Sequence, residues 1–185
     1  MNLQKKWDIL EKGIKMNKIN IDLDEDLVKY IKEKCDRDIT SDIDIILQTA
    51  LDEKNIDNQN VSISISAVDK DKIHQINKEY RNVDRPTDVL SFPIFSREEI
   101  NLFSSLEEEK KVKELELGDI IICIDILEEH AKEYGTGILR EMLYMITHGV
   151  CHLLGYDHEV EKEKQEMRIL EEKILDKIGV GQINE

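Results

Sequence analysis

A chain of 185 residues, 40% apolar and 36% charged, is long enough to bury a core and too apolar to be disordered, so it reads as one soluble globular domain. Its formal net charge of −15 excludes a nucleic-acid binder that works by global attraction, because phosphate is repelled at long range. Three widely spaced cysteines, Cys35, Cys123 and Cys151, exclude a complete disulfide framework. A charged N-terminus and the lack of any apolar run near the roughly 18 residues that span a bilayer exclude a signal peptide and a membrane span, which points to the cytoplasm.

Leu3, Trp7, Leu10 and Ile14 recur at helical spacing and predict a short amphipathic helix in an N-terminal extension, residues 1–18. Ile19–Leu23 alternates like a strand. Asp24–Lys34 and Ser41–Lys54 read as helices, the second with Ser41 as its N-cap. Val61–Ala67 alternates strictly, as a strand with one buried face does. Asp69–Tyr80 reads as a helix capped by Asp69, and Val89–Ile94 as a short strand. Ser96–Glu116 is charged and reads as a solvated helix or mobile loop. Gly118–Ile124 is a nearly continuous apolar run, the pattern of a central strand covered on both faces. Three helices close the chain: Ile126–Tyr134, Ile138–Leu154, and Glu159–Ile178 with Met167, Leu170, Ile174 and Ile178 as its buried stripe. The sum is an α+β fold of about four strands, with helices packed mainly on one face of a small sheet.

Three of the five histidines fall in the run from His148 to His158, spaced H-x-x-x-H-x-x-G-x-x-H. His148 and His152 are four apart and share one face of a helix. Gly155 ends that helix, and the turn can return His158 toward the other two. Three neutral imidazoles with a free fourth position are how a catalytic zinc site is built. The spacing equals that of metzincin proteases except that Gly149 stands where those enzymes carry their water-activating glutamate, which argues against proteolysis. Cys151 reads as a small core residue rather than a fourth ligand. Asp157 reads either as a group orienting a ligand or as a turn residue. His74 and His130 read as ordinary surface or helix-end histidines.

The stretch from Asn77 to Pro93 is the second constellation. Between Lys70 and Arg85 five bases outnumber three acids, so the local balance is positive. Arg81 or Arg85 could clamp a phosphate with its planar fork.

Three segments in this order, Tyr80-Arg81 with Arg85-Pro86-Thr87-Asp88-Val89-Leu90-Ser91-Phe92-Pro93, Leu117-Gly118-Asp119-Ile120, and His148-Gly149 to Gly155-Tyr156-Asp157-His158, together resemble the YbeY family of single-domain, metal-dependent endoribonucleases. The resemblance runs roughly from Ile19 to Ile178. It implies a single metallo-endoribonuclease domain over residues 19–185, one zinc ion on His148, His152 and His158, and Arg81 as an RNA-contacting or catalytic residue. It also implies action on single-stranded rRNA, in small-subunit rRNA maturation and ribosome quality control. Ribosomal proteins or a ribosome-associated GTPase are further expected partners, and no membrane is. The chain departs from the family pattern at Cys151, usually apolar, and at Gly135-Thr136-Gly137, where a Gly-His-Ser step is common.

Hydrolysis or transesterification of single-stranded RNA is therefore the leading expectation, in a positive cleft lined by Arg81 and nearby lysines. The alternative is a ribosome-assembly binding factor with a mainly structural metal. A hydrolase of another substrate class comes third. An open fourth metal position favours catalysis and a closed one favours structure.

Overall fold

The computed structural model describes residues 18–35, 37–56, 60–103 and 114–181. Chain order is β1 (Lys18–Leu23), α1 (Glu25–Lys34), α2 (Thr40–Glu53), β2 (Asn60–Val68), α3 (Lys70–Arg81), β3 (Val89–Pro93), α4 (Arg97–Phe103), β4 (Leu115–Cys123), α5 (Ile124–Tyr134), α6 (Ile138–Leu153) and α7 (Glu161–Lys177). The α+β expectation holds. The four strands form one sheet in the order β1-β2-β4-β3. The β1–β2 and β2–β4 pairs are parallel and β3 runs antiparallel on β4.

The strand periodicities locate the cores. Val61, Ile63 and Ile65 of β2 alternate inward and join Leu115, Leu117, Ile120 and Ile122 of β4 in the larger core. Helices α1, α2, α6 and α7 contribute to it through Leu27, Ile43, Leu47, Met142, Ile146, Leu170 and Ile174, among others. A smaller cluster holds Ile73 of α3 with Leu90, Cys123 and Ile126. β4 is internal, as its apolar run predicts, and β3 is an edge strand.

Side-chain caps fix several junctions. Asp24 accepts from Leu27 N at 2.7 Å and, with its other oxygen, from Ala67 N at 2.9 Å, so one carboxylate starts α1 and ties it to the end of β2. Asp69 caps α3 through Lys72 N at 2.7 Å. The Ser41 cap is corrected: α2 opens at Thr40 with Ile39 in the cap position. Asp38, just outside, accepts from Thr40 N at 2.9 Å. The aspartate reaches the first amide that Ser41, already inside the helix, cannot.

The segment Ser96–Glu116 begins with a real helix, α4, seated by buried Ile100. The remainder up to residue 113, like the expected helix over Leu3–Ile14, lies outside the described residues.

The β2–β4 ladder shifts register between Ser62 and Ile63, whose partners are Glu116 and Gly118. Leu117 is skipped, and its carbonyl accepts from Ile94 N at 3.0 Å. The irregularity depends on Gly118, at φ +131°, where a Cβ would stand 2.1 Å from the Phe92 carbonyl oxygen. The obstacle is backbone on an adjacent strand, so no rotamer change relieves it. Gly118→Ala should therefore cost about 3 kcal/mol or more of folding stability. Urea denaturation measures it, and a loss below about 0.5 kcal/mol, the range of ordinary surface substitutions, would count against this account.

Candidate metal centre

Helix α6 carries two surfaces. Met142, Ile146, Val150 and Leu153 enter the core, whereas His148 and His152 are only partly buried. At Gly149 the helix comes so close to β4 that a Cβ would lie 2.8 Å from the Ile120 side chain. The position that holds the catalytic glutamate in the metzincin spacing thus faces a sheet residue, and a side chain there would meet Ile120 and force it to shift. Cys151 is fully buried in the core, as read from its neighbours, and burial raises its thiol pKa far above the usual range.

The helix ends in a Schellman motif. Gly155 N donates to His152 O at 3.0 Å and Tyr156 N to Cys151 O at 3.0 Å, with Gly155 at φ +76°. A Cβ there would lie 2.7 Å from Arg97 Cα. This exit brings His158 back: its ring centroid lies 5.5 Å from that of His148 and 5.1 Å from that of His152. One ring nitrogen from each of the three histidines lies within 4.8 Å of the others, and among the described residues no fourth ligating side chain joins them.

The ring orientations are set by partners that can only accept. Glu171 Oε1, from α7, meets His148 Nδ1 at 2.7 Å. The Tyr156 carbonyl, delivered by the helix exit, meets His152 Nδ1 at 3.0 Å. Both Nδ1 atoms therefore carry protons, and both Nε2 atoms point inward, 3.1 Å apart. That gap has room for one proton or one cation. Two imidazoles on tetrahedral zinc sit about 3.3 Å apart, given Zn–N bonds near 2.0–2.1 Å. The donor set fits a small borderline-soft metal ion.

Burial is the main cause that lowers the His152 pKa to about 4, and His148 and His158 push in the same direction. His152 is thus the neutral imidazole that a ligand must be. The Tyr144 phenol, beside His148 with ring centroids 6.1 Å apart, is pushed up to about 12, mainly by burial and then by Glu171.

The three histidines line one wall of a cleft of about 400 Å³, and Arg81, Arg85, Thr87, Asp88 and Ser91 are among the residues lining the rest. Arg81 Nη2 donates to the Ser91 carbonyl at 2.8 Å, tying the end of α3 to β3 and leaving its other N–H groups for the cleft. Buried Asn77 donates to the Arg85 carbonyl at 2.8 Å and fixes that loop. The expected lysines are not here: Lys78 pairs with Asp84 at 2.7 Å, which also holds His74 at 2.8 Å. Arg85 supplies the second cation instead. A neighbouring cleft of about 340 Å³ shares His148 and His158 and holds Lys164 and Arg168 with Glu171 and Glu172, a neutral balance. Asp157 accepts from His158 N at 2.7 Å, which is the turn reading.

Sequence reasoning missed Glu171, Asn77 and the Tyr156 carbonyl. Glu171 had a signal, since it lies four residues after Met167 and three before Ile174 on the stripe that faces the core. The carbonyl had none, because a main-chain acceptor is independent of residue type.

A family model described as Endoribonuclease YbeY matches residues 27–179. Similar proteins include the Endoribonuclease YbeY of Clostridium botulinum strain Loch Maree, 42% identical over 78% of this chain and 90% of its own. That of Thermoanaerobacter sp. strain X514 is 40% identical over 75% and 87%. That of Agathobacter rectalis is 41% identical over 73% and 85%. A solution structure from Thermotoga maritima aligns over 88% of this chain and 91% of that one, with 25% identity and a TM-score of 0.47.

The lowered His152 pKa sets a pH response of the metal-free protein. The unfolded chain binds this proton near the ordinary histidine pKa of about 6.5 and the folded chain only near 4. Between those values the unfolded state holds more protons, so folding stability falls as the pH falls and levels off below. Chemical denaturation across this window should show a shallower loss for His152→Gln than for the wild type. Parallel curves would remove His152 as a cause.

Proposed function

This chain belongs to the endoribonuclease YbeY family, and from that premise we propose that it is a metal-dependent endoribonuclease specific for single-stranded RNA, acting in small-subunit rRNA maturation and ribosome quality control. The observation that carries the reading is that one cleft holds both halves of a phosphoester-cleaving site: three converging imidazoles on one side, Arg81 and Arg85 on the other.

His148, His152 and His158 would hold one zinc ion. When bound, zinc supplies Lewis acidity toward a phosphoryl oxygen and acidifies water. The chain's own groups do the rest. His148 and His152 keep their protons on Nδ1, away from the ligand position. Arg81 and Arg85 hold the phosphates flanking the scissile bond and offset the charge that develops on them. Nothing at position 149 can act as the general base of a peptidase, and phosphoryl transfer relies more on positioning and charge neutralisation than on one strong base.

A single strand suits the site because its backbone can be splayed across the histidines, and RNA brings its own 2′-hydroxyl as an internal nucleophile. Among the described residues no fourth protein ligand joins the histidines, and this with the cleft beside them favours a catalytic ion over the structural ion of an assembly factor. With a body of net charge −15, long-range attraction does not deliver the RNA. Ribosomal proteins or a ribosome-associated GTPase fit as the partners that would.

The test is cleavage of single-stranded rRNA fragments by wild type and His152→Ala purified in parallel, with bound metal measured in both. The variant should lose metal and activity together, and equal cleavage by both would assign the activity to a contaminant. Arg81→Ala should retain metal and lower kcat/KM on the order of tenfold to hundredfold, with Arg81→Lys in between because it keeps charge without the fork. An unchanged kcat/KM for Arg81→Ala would remove the arginine from the site.

A further inference from the structure

We propose that Glu171 is a positioning residue of the metal centre: its carboxylate fixes the tautomer and orientation of His148 and thereby sets metal affinity. The proposal rests on the reading of the three histidines as metal ligands.

The placement of Glu171 is costly in fold terms. It projects from α7 among Met167, Leu170, Ile174 and Leu175, all buried, and is itself only 8% exposed. A carboxylate removed from water there is destabilising unless bonded, and a leucine at the same point would extend the apolar stripe. The bond that offsets the cost is the 2.7 Å contact to His148 Nδ1, joining side chains 23 residues apart. A purely structural pair needs only that contact. Here the other nitrogen of the same ring is the one aimed at His152 Nε2, 3.1 Å away. Carboxylate, imidazole and ligand position therefore lie in series. In that arrangement a carboxylate raises the basicity of the ligating nitrogen and stops the ring from flipping, and its loss costs about tenfold to hundredfold in metal affinity.

The three histidines differ in this respect. His152 is held by the Tyr156 carbonyl, and His158 is exposed. Among the described residues, His148 alone of the three bonds an acidic side chain from another helix, and no second acid shares that contact. α7 then takes part in the chemistry through one residue, although none of its side chains is among the converging ring nitrogens.

The experiment measures zinc affinity by chelator competition for wild type, Glu171→Gln, Glu171→Leu and His148→Ala, with thermal unfolding of each metal-free protein. Glu171→Gln keeps an oxygen that can accept from Nδ1 and should lose about tenfold. Glu171→Leu, which fills the space but accepts nothing, should lose up to about a hundredfold while its metal-free form unfolds no earlier than the wild type. Zinc affinity within twofold of wild type in both Glu171 variants, with His148→Ala impaired, would overturn the proposal and leave the metal reading intact. Unchanged affinity in His148→Ala as well would overturn both. Nitrogen NMR of the wild-type protein gives a readout that does not depend on variant folding: His148 should carry a proton on Nδ1, and a spectrum with Nδ1 unprotonated would overturn the proposal directly.

Discussion

Helix α6 has to satisfy two surroundings at once, and the contact at Gly149 is where they are reconciled. A helix whose glycine lets a strand side chain reach its backbone is fixed in height and rotation more tightly than one resting on a layer of leucines. Ile120 fills the place a side chain would take. With that contact set, the faces of His148 and His152 are set too, and the apolar stripe continues into the core on the other side. The same contact occupies the place of the carboxylate on which a peptidase of this histidine spacing depends. One close approach therefore supports the fold, positions two imidazoles and narrows the chemistry.

Charge is distributed to match. The chain is strongly acidic overall, and several of its acids are committed away from the cleft: Asp84 to Lys78 and His74, Glu129 to Lys70, Glu128 to Tyr30 and Lys34, Glu163 to Arg97. In the cleft beside the histidines the lining holds Arg81 and Arg85 and, among the described residues, Asp88 as the one carboxylate. At short range two guanidinium groups outweigh a distant negative field, which salt screens beyond roughly 8–10 Å.

Much of this was legible in the residues. The period-2 pattern of Val61–Ala67 and the apolar run after Leu117 mark the two central strands, and the histidine spacing with Gly155 announces a helix, an exit and a return. Legibility fails where information is not carried by residue type. The Ser41 cap gave way to Asp38 because any of several polar residues near a helix start can reach a free amide, and only geometry chooses. The second cation in the cleft is Arg85 rather than a lysine because Asn77 holds the Arg85 backbone in place, a side-chain-to-carbonyl bond with no sequence signature. Glu171 sat in view on a buried stripe, but its partner is a histidine on another helix, and pairings between helices depend on packing that periodicity does not encode.

The two helical histidines are anchored by different kinds of acceptor, and this difference has an evolutionary consequence. His148 depends on a side chain, so a single substitution at position 171 removes its support. His152 depends on a main-chain oxygen, so the identity of the residue at 156 can drift without touching that bond, provided the chain still turns at Gly155. Constraint is thereby displaced from the residue that makes the contact to the glycine that shapes the path, and in a lineage of such sequences position 155 would be the more strictly kept of the two.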